Sequence, residues 1–267
     1  MSFLDIPWED VTYRYVFPFL RWSDLFRLSC ACRKFKELVD GYFWTLRKLD
    51  LRDHAAKMNP TIFSRITQDN RSIRLLILEN SSLWMTDDIL VPVLELNCLL
   101  HTLDLTLCSN LSYKTIHTLS LRCHRMRKLV LKDCHWITSS HLSKIATNLV
   151  ELQHLDLSGC WSVTDDAVIT VTICCPSISY LSLAKIYGLT DASIAQLGRL
   201  LQLRHLSIKG CWRVTNASLR QLGDLCTNLQ TLEVTDCSAV TEISLAKLRA
   251  RGIKMDKPKP DWRGRVR

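Results

Sequence analysis

Twelve cysteines are the residues of this 267-residue sequence with the widest chemical repertoire. Cysteine thiolates can bind zinc, form disulfides or act as nucleophiles, depending on their spacing and surroundings. The only close pairs are Cys30 with Cys32 and Cys174 with Cys175, and no C-x-x-C pair stands near a second pair at zinc spacing. We therefore predict no metal site. The chain is also long and opens without a secretory leader, which favours reduced thiols over disulfides.

Histidine, aspartate and lysine side chains also recur at regular intervals, for example at Lys128, His154 and His205. Such residues are the usual components of acid–base catalysis. No nucleophile stands among them with an evident base and an orienting group, which catalysis of that kind requires. We therefore predict no catalytic residue, no enzyme activity and no cofactor. The regular spacing itself needs a structural explanation.

A repeat of about 26 residues supplies that explanation. The pattern L-x-x-L-x-L-x-x-C occurs five times, and three further copies keep the apolar positions without the cysteine. The first apolar residues of the eight copies are Leu46, Ile73, Leu100, Met126, Leu152, Ile178, Leu203 and Leu229. Their spacings are 27, 27, 26, 26, 26, 25 and 26 residues, so one register extends over residues 46–254. The pattern is that of a leucine-rich repeat.

A hydroxyl residue follows the apolar segment of seven copies in the same phase. These residues are Thr86, Ser112, Thr138, Thr164, Thr190, Thr215 and Thr241. Such residues cap helices, so each unit is predicted to be a strand, a turn and a capped helix. One unit cannot bury its own apolar face, and neighbouring units must therefore stack. The predicted fold is an α/β solenoid, a horseshoe with a parallel sheet on its concave side.

The repeat also accounts for most of the cysteines. One column, in the turn that leaves the strand, contains Cys108, Cys134, Cys160, Cys211 and Cys237. A second column, just before the next unit, contains Cys98, Cys123, Cys175 and Cys226. We predict that both columns are small buried hydrophobes and not reactive thiols, which need accessible, electropositive surroundings.

Residues 1–45 lie outside the repeat and show helical spacing of apolar residues. Breaks at Pro7, Pro18 and Ser23-Asp24 predict three short helices, the second capped by Ser23-Asp24. A unit of about 40 residues is marginally stable alone, so these helices must pack against the repeats or against another protein.

The same segment resembles the F-box family. The residues that carry the resemblance, in order, are Ile6-Pro7, Glu9, Phe19-Leu20, Asp24-Leu25, Leu28, Cys32-Arg33, Phe35, Leu38 and Phe43-Trp44. Together with cysteine-containing leucine-rich repeats, the sequence is similar to F-box and leucine-rich-repeat substrate receptors. Residues 3–11 and 244–252 resemble one subfamily, that of F-box/LRR-repeat protein 15 and its insect relatives of the jetlag type. Two features depart from the F-box pattern: Ile6 replaces the usual leucine, and the linker before the repeats is almost absent.

The resemblance implies a non-catalytic subunit of an SCF (Skp1-cullin-F-box) E3 ubiquitin ligase. Its F-box would bind the Skp1 adaptor and, through it, the cullin and RING subunits, and its repeats would bind a protein substrate for ubiquitination and proteasomal degradation. The residues predicted to bind Skp1 are Leu4, Ile6, Pro7, Val11, Val16, Leu20, Leu25 and Phe35. For each of these apolar residues, the core of the chain itself remains an alternative position.

The predicted substrate surface has two parts. Residues that flank the inward leucines of each strand should face the concave side. Its predicted contacts are Lys128, Lys132, His154, Tyr180, His205 and Lys209. At the rim, directly after the cysteine position, stand Trp161, Tyr187 and Trp212. Large aromatics are typical anchors for protein partners, although these could instead pack over the neighbouring turn. Trp84 lies in an apolar column and is predicted to be core.

Net charge gives little support for other ligands. Of the formal charge of +9, +5 lies in residues 251–267, and residues 255–267 are predicted to be a basic extended tail. The predicted concave columns also contain Asp50, Asp104, Asp156 and Glu233, so nucleic acid is an unfavoured partner. No apolar run is long enough for a membrane span, and we expect a cytoplasmic or nuclear location.

The alternative function is a leucine-rich-repeat binding or inhibitor module unrelated to ubiquitin ligases, with residues 1–45 serving only as a cap.

Overall fold

A nine-stranded parallel sheet runs through the computed structural model, which describes residues 7–256. Each strand pairs with the next one along the chain, as in an open solenoid. The strands are Lys48–Asp50 (β1), Leu75–Ile77 (β2), Thr102–Asp104 (β3), Lys128–Val130 (β4), His154–Asp156 (β5), Tyr180–Ser182 (β6), His205–Ser207 (β7), Thr231–Glu233 (β8) and Lys254–Met255 (β9). The predicted fold class is therefore confirmed.

The leucine pattern sets the register of the sheet. The central residues of adjacent strands lie opposite one another, as Leu103 does to Leu129 and Leu129 to Leu155. These central leucines are fully buried. The flanking residues form the two columns expected on the other face, from Lys48 to Thr231 and from Asp50 to Glu233. Alternation along the strands therefore separates a dry leucine ladder from a polar surface.

Helices connect the strands on the opposite side of the sheet. The helices of the repeats are Pro60–Thr67 (α4), Asp87–Leu96 (α5), Tyr113–Arg122 (α6), Ser139–Asn148 (α7), Asp165–Cys174 (α8), Asp191–Gln196 (α9), Asn216–Leu225 (α10) and Glu242–Ala250 (α11). The predicted hydroxyl residues from Thr86 to Thr241 occupy the N-cap positions of α5–α11. The described residues include no helix long and apolar enough to cross a bilayer.

Side chains at the helix starts also tie each repeat to the next. The carboxylate of Asp165 accepts hydrogen bonds from the backbone N–H of Thr190 (2.9 Å), from its hydroxyl (2.6 Å) and from the hydroxyl of Ser193. Asp87 and Asp191 accept the same three kinds of hydrogen bond from the repeats that follow them. Burial by itself would raise the pKa of Asp165, but these donated hydrogen bonds outweigh it and lower the pKa.

The ninth strand was not predicted from the repeat, and it ends the sheet. Beyond it, the side chain of Asp256 accepts a hydrogen bond from the backbone N–H of Val234 (2.7 Å) and another from the hydroxyl of Thr235 (2.6 Å). In an earlier repeat the equivalent N–H of Ile208 bonds to the carbonyl oxygen of Glu233 in the next strand. At the end of β9 a side-chain carboxylate thus takes the place of the backbone carbonyl that accepts this hydrogen bond in the earlier repeat.

The N-terminal helices pack directly on the first repeat. A π-helical turn at Trp8–Thr12 leads into Tyr13–Tyr15 (α1), a 3-10 turn at Phe17–Phe19, and the helices Trp22–Ala31 (α2) and Arg33–Thr45 (α3). Phe43 is fully buried in a core that the N-terminal helices share with the repeats, called the common core below. Asp40 forms an ion pair with Arg65 (2.8 Å), and Asn70 donates to the carbonyl of Phe43 (2.6 Å). The predicted Ser23-Asp24 cap is wrong. The helix α2 begins at Trp22, and its N-cap residue is Arg21, two positions before Ser23.

Candidate functional site

The cysteine columns are structural. Each thiol of the first column donates to a carbonyl oxygen of the preceding repeat, as Cys134 does to Leu105 (3.0 Å) and Cys160 to Leu131 (3.1 Å). Burial raises the pKa of Cys160 to about 12, which keeps the thiol protonated and unreactive. Among the described residues, no three His, Cys, Asp or Glu side chains are grouped so that they could hold a metal ion.

The second column contains one wrong assignment. Cys123 is fully buried as predicted, and Cys175 and Cys226 are likewise buried, but Cys98 is exposed. Its neighbour Asn97 takes the buried position and donates to the carbonyls of Asn70 and Val93, both at 2.9 Å. Asn97 and Cys123 each stand three residues before the next repeat, whereas Cys98 stands two before. One residue of displacement moves the side chain from core to surface.

Three aromatic rings lie together at the centre of the concave face. The rings of His154 and Tyr180 stack at 3.9 Å with only 5° between their planes, and His205 lies 6.1 Å beyond Tyr180. A nitrogen of the His205 ring is 2.6 Å from the hydroxyl of Thr231. Burial, assisted by the positive charge of Lys128, lowers the pKa of His154 to about 4. His154 is therefore neutral at pH 7.

The three predicted lysines of the concave face differ in their surroundings. Lys128 and Lys132 are exposed, and no ion pair within 7–256 involves either of them. Lys209 lies 3.3 Å from a carboxylate oxygen of Glu233 and 3.4 Å from one of Asp256. Lys209 therefore already has partners within the chain, and only the other two offer unpaired positive charge.

The predicted rim aromatics are exposed and stacked. Trp161 and Trp212 are 53% and 57% exposed. Trp161 stacks on His135 at 4.1 Å, and Trp212 stacks on Tyr187 at 4.6 Å. These rings pack over neighbouring turns, and they still present area to solvent that a protein partner could contact. His135 belongs to this row by its place after Cys134, a signal that was available in the sequence.

Trp136 and Trp84 are structural by comparison. The indole N–H of Trp136 donates to the carbonyl of Cys108 at 2.7 Å, and the ring packs against the core. Trp84 is buried, as predicted, and its indole N–H donates to the carbonyl of Ala55 at 3.1 Å.

The residues predicted to bind Skp1 fall in different places. Leu4 and Ile6 lie outside the described residues. Pro7 is exposed, and Val16 is half-buried against the core. Phe35 makes an edge contact with the ring of Trp8 at 6.3 Å.

One of these residues belongs to the core. The side chain of Leu25 is only 3% exposed because the inner face of α2 packs against the common core, so it is not available to a partner in this structure. The core alternative therefore holds for Leu25.

An exposed apolar patch lies on the N-terminal helical turns. It consists of Val11 (40% exposed), Tyr15 (67%), Phe19 (82%) and Leu20 (37%). The first three follow one another at intervals of four residues through the π-helical turn, α1 and the 3-10 turn. The residues predicted to bind Skp1 do not include Tyr15 and Phe19, although Phe19 belongs to the F-box pattern. We call these four residues the N-terminal patch.

The SKP2 LRR domain family matches residues 23–257. The chain belongs to the SKP2 LRR domain family. Among curated proteins, F-box/LRR-repeat protein 15 of Mus musculus is 32% identical over 120 residues, which is 45% of this chain and 40% of the mouse protein. The rat protein of the same name, from Rattus norvegicus, gives the same identity and coverage. The resemblance inferred from the sequence is thereby confirmed.

These F-box/LRR relatives are matched over less than half of their length. Among solved structures, a chain of the yeast Rad7 and Elc1 complex superposes with a TM-score of 0.62 at 18% identity, over 84% of this chain and 57% of that one. At this identity the likeness concerns the fold alone. F-box/LRR proteins are generally non-catalytic adaptors, and membership implies a role in protein–protein interaction.

Proposed function

We propose that this F-box/LRR protein is the substrate-recognition subunit of an SCF E3 ubiquitin ligase. Residues 1–45 would bind Skp1 and, through it, the cullin and RING subunits. The concave face and the aromatic rim would bind a protein substrate, which is then ubiquitinated and degraded by the proteasome. Such a complex would work in the cytoplasm, the nucleus or both.

The N-terminal patch is the observation that carries this proposal. The inner sides of the N-terminal helices already pack into the core through Phe17, Leu25 and Phe43. A cap for the solenoid needs only that inner contact, because its purpose is to cover the apolar end of the repeats. Tyr15 and Phe19 add nothing to capping while they remain in water, whereas exposed aromatics are frequent energetic centres of protein interfaces.

The junction between the helices and the repeats supports a positioning role. The ion pair of Asp40 with Arg65 and the hydrogen bond from Asn70 to Phe43 join the two parts without a linker. A substrate on the concave face would therefore be held at a defined distance from the adaptor. The contribution to ubiquitin transfer would be proximity, which raises the effective concentration of substrate lysines.

A substitution in the N-terminal patch tests the proposal in the full chain. Deleting residues 1–45 would remove Phe43 and expose the end of the repeat core that these helices cover. The sharper variant is therefore Tyr15→Ser with Phe19→Ser. The control is Ile243→Ser, which removes an apolar side chain that is 74% exposed on α11. Titration of purified Skp1 by calorimetry should show at least about 30-fold weaker binding for the patch variant, since a buried aromatic anchor contributes about 2 kcal/mol or more.

The control variant Ile243→Ser should bind Skp1 with the affinity of the wild type. A Trp161→Ala and Trp212→Ala variant should do the same, because the rim is assigned to the substrate. If wild-type chain does not bind Skp1, or if the patch variant binds it with unchanged affinity, the ligase proposal fails. The alternative of a capped binding module would then remain.

A further inference from the structure

A row of three arginines and a histidine lies along the edge of the sheet where the strands begin. The row contains Arg47, Arg74, His101 and Arg127, each directly before its strand. The backbone N–H of Arg74 bonds to the carbonyl of Arg47 (2.8 Å), that of His101 to Arg74 (2.9 Å) and that of Arg127 to His101 (2.9 Å). The four residues are therefore neighbours, with a strand spacing of about 4.8 Å between successive positions.

Three residues of this row, Arg74, His101 and Arg127, line a groove. Its volume is about 210 Å³, and its lining residues are Arg74, Leu99, His101, Arg125 and Arg127. Leu99 is 42% exposed and supplies an apolar surface between the guanidinium groups. We call these five residues the basic groove.

Counter-charges around the basic groove are few. The described part of the chain contains one ion pair to its arginines, between Arg127 and Glu151 at 3.8 Å, with both side chains about half exposed. Within residues 7–256, the guanidinium group of Arg74 donates only to the carbonyl of its neighbour Ile73, at 3.4 Å. The attraction of cations to the C-terminal end of a helix can explain Arg122 in the last turn of α6, but Arg74 and Arg127 stand at strand starts. Of the three guanidinium groups of the groove, only that of Arg127 is paired with a carboxylate among residues 7–256.

The arrangement favours several anionic groups along an extended chain over a single one. Arg74 and Arg127 stand two strand spacings apart, or about 10 Å, along the groove. A single phosphate can be held by two guanidinium groups and would leave the others unused. Carboxylates along an extended peptide recur on one side about every 7 Å, which fits such a row. The exposed Leu99 suits an apolar side chain between acidic ones, and none of the five lining residues is a Trp, Tyr or Phe that could stack bases.

We propose that the basic groove binds an acidic segment, rich in Asp and Glu, of a partner protein. The partner lies in an extended conformation along the start of strands β2 to β4. Its carboxylates pair with Arg74, Arg125 and Arg127, and an apolar side chain rests on Leu99. The groove is separate from the N-terminal patch, so this binding does not depend on the proposed ligase function.

The repeat itself provides a matched control for the test. Arg204 occupies the position of Arg74 and Arg127 directly before the seventh strand, β7, but its neighbours in the row are Ser179 and Gln230. The test variant is Arg74→Gln with Arg127→Gln, and the control is Arg204→Gln. The substitutions retain most of the side-chain length and leave the backbone hydrogen bonds in place. Circular dichroism of each full-length variant checks that it is folded.

The probe is a fluorescent twelve-residue peptide in which Glu alternates with Leu and Gly, measured by anisotropy at 150 mM salt. We expect the wild type and the Arg204→Gln variant to bind it equally, and the double variant to bind it at least about tenfold more weakly, because charge-assisted pairs are lost. The wild type should bind a peptide in which Gln replaces Glu no more tightly than the double variant binds the Glu peptide. These results would support the proposal.

Several results would overturn it. They are equal binding by the double variant and the wild type, equal losses in the double and control variants, or no binding of the acidic peptide at all. Stronger binding of a peptide with one phosphoserine and no other acidic residue would instead indicate a phosphate site. Stronger binding of a twelve-nucleotide single-stranded RNA would indicate a nucleic-acid site. Either preference would contradict recognition of an acidic protein segment.

Discussion

Asp191 offers a direct test of how neighbouring repeats are held together. Its carboxylate accepts from the backbone N–H of Thr215 at 2.8 Å and from the hydroxyls of Thr215 and Ser218. The next repeat uses Asn216 in the same way: its side-chain oxygen accepts from the N–H of Thr241 (2.9 Å) and the hydroxyl of Ser244 (2.6 Å), and its amide donates to the hydroxyl of Thr241 (3.0 Å). The perturbations are therefore Asp191→Ala and Asp191→Asn.

The structure gives different magnitudes for the two substitutions. Alanine removes all three acceptor contacts. The hydroxyl of Ser218 can then turn fully to the carbonyl of Thr215, already 3.3 Å away, but the N–H of Thr215 loses its acceptor. We expect a loss of about 2–3 kcal/mol in the free energy of unfolding, from one to two hydrogen bonds to a charged group. Asparagine can reproduce the geometry seen at Asn216 and loses only the charge at the start of α9, which costs about 0.3–1 kcal/mol.

Urea denaturation followed by tryptophan fluorescence measures both values at pH 7. Burial would raise the pKa of Asp191, but hydrogen bonds from Ser218 and Thr215 lower it on balance. The folded chain therefore binds this proton less readily than the unfolded chain, and the stabilisation is lost as pH falls through the lowered pKa. The difference between the wild type and Asp191→Asn should accordingly shrink as pH falls below the ordinary aspartate pKa of about 3.9, and disappear below the lowered pKa of the folded chain. If Asp191→Asn is as destabilising as Asp191→Ala at pH 7, charge rather than hydrogen-bond geometry joins the repeats and the reasoning is refuted.

Two further predictions concern the thiols and the concave face. In the native chain a thiol reagent should label Cys30, Cys32 and Cys98 quickly and the half-buried Cys174 more slowly, while the eight buried thiols react only in denaturant. Rapid labelling of more than four thiols would contradict the burial. Because the pKa of His154 is lowered to about 4, the folded chain should lose stability as pH falls from about 6.5 towards 4, and Lys128→Ala should move this pKa back towards 6.5. Titration by NMR measures it, and a His154 that titrates near 6.5 in the wild type would refute the prediction.

The repeat made most of the sheet predictable because a parallel sheet with one buried face leaves little freedom in register. The position of Leu129 between Leu103 and Leu155 follows from the spacing of the leucines alone. The ninth strand could not be obtained in this way. Lys254–Met255 lacks the leucine pattern, and its pairing depends on the edge that β8 offers.

The contacts between repeats were only half visible in the sequence. The sequence places Asp165 and Asp191 directly after the capping residues Thr164 and Thr190, at predicted helix starts where negative charge is favourable. Their hydrogen bonds to Thr190 and Thr215 connect different repeats, and the sequence of one repeat does not show which side chains of the next will approach.

The net charge of the sequence does not indicate the basic groove. The total of +9 is dominated by the C-terminal segment, and a sum over the remaining residues conceals a local row. Arg74 and Arg127 are 53 residues apart in the chain, and only the stacking of strands brings them to one groove. Likewise, the exposure of Phe19 depends on which side of its turn the rest of the chain covers.

The carboxylate of Asp256 sets where the ladder between the last two described strands ends. In an earlier repeat the N–H that follows a strand bonds to a carbonyl oxygen of the next strand, as that of Ile208 does to Glu233. At Val234 this N–H bonds instead to the side chain of Asp256, and β9 pairs with β8 over only two residues. The last strand that the structure describes is therefore short, and a short edge strand offers little backbone for pairing with another extended segment.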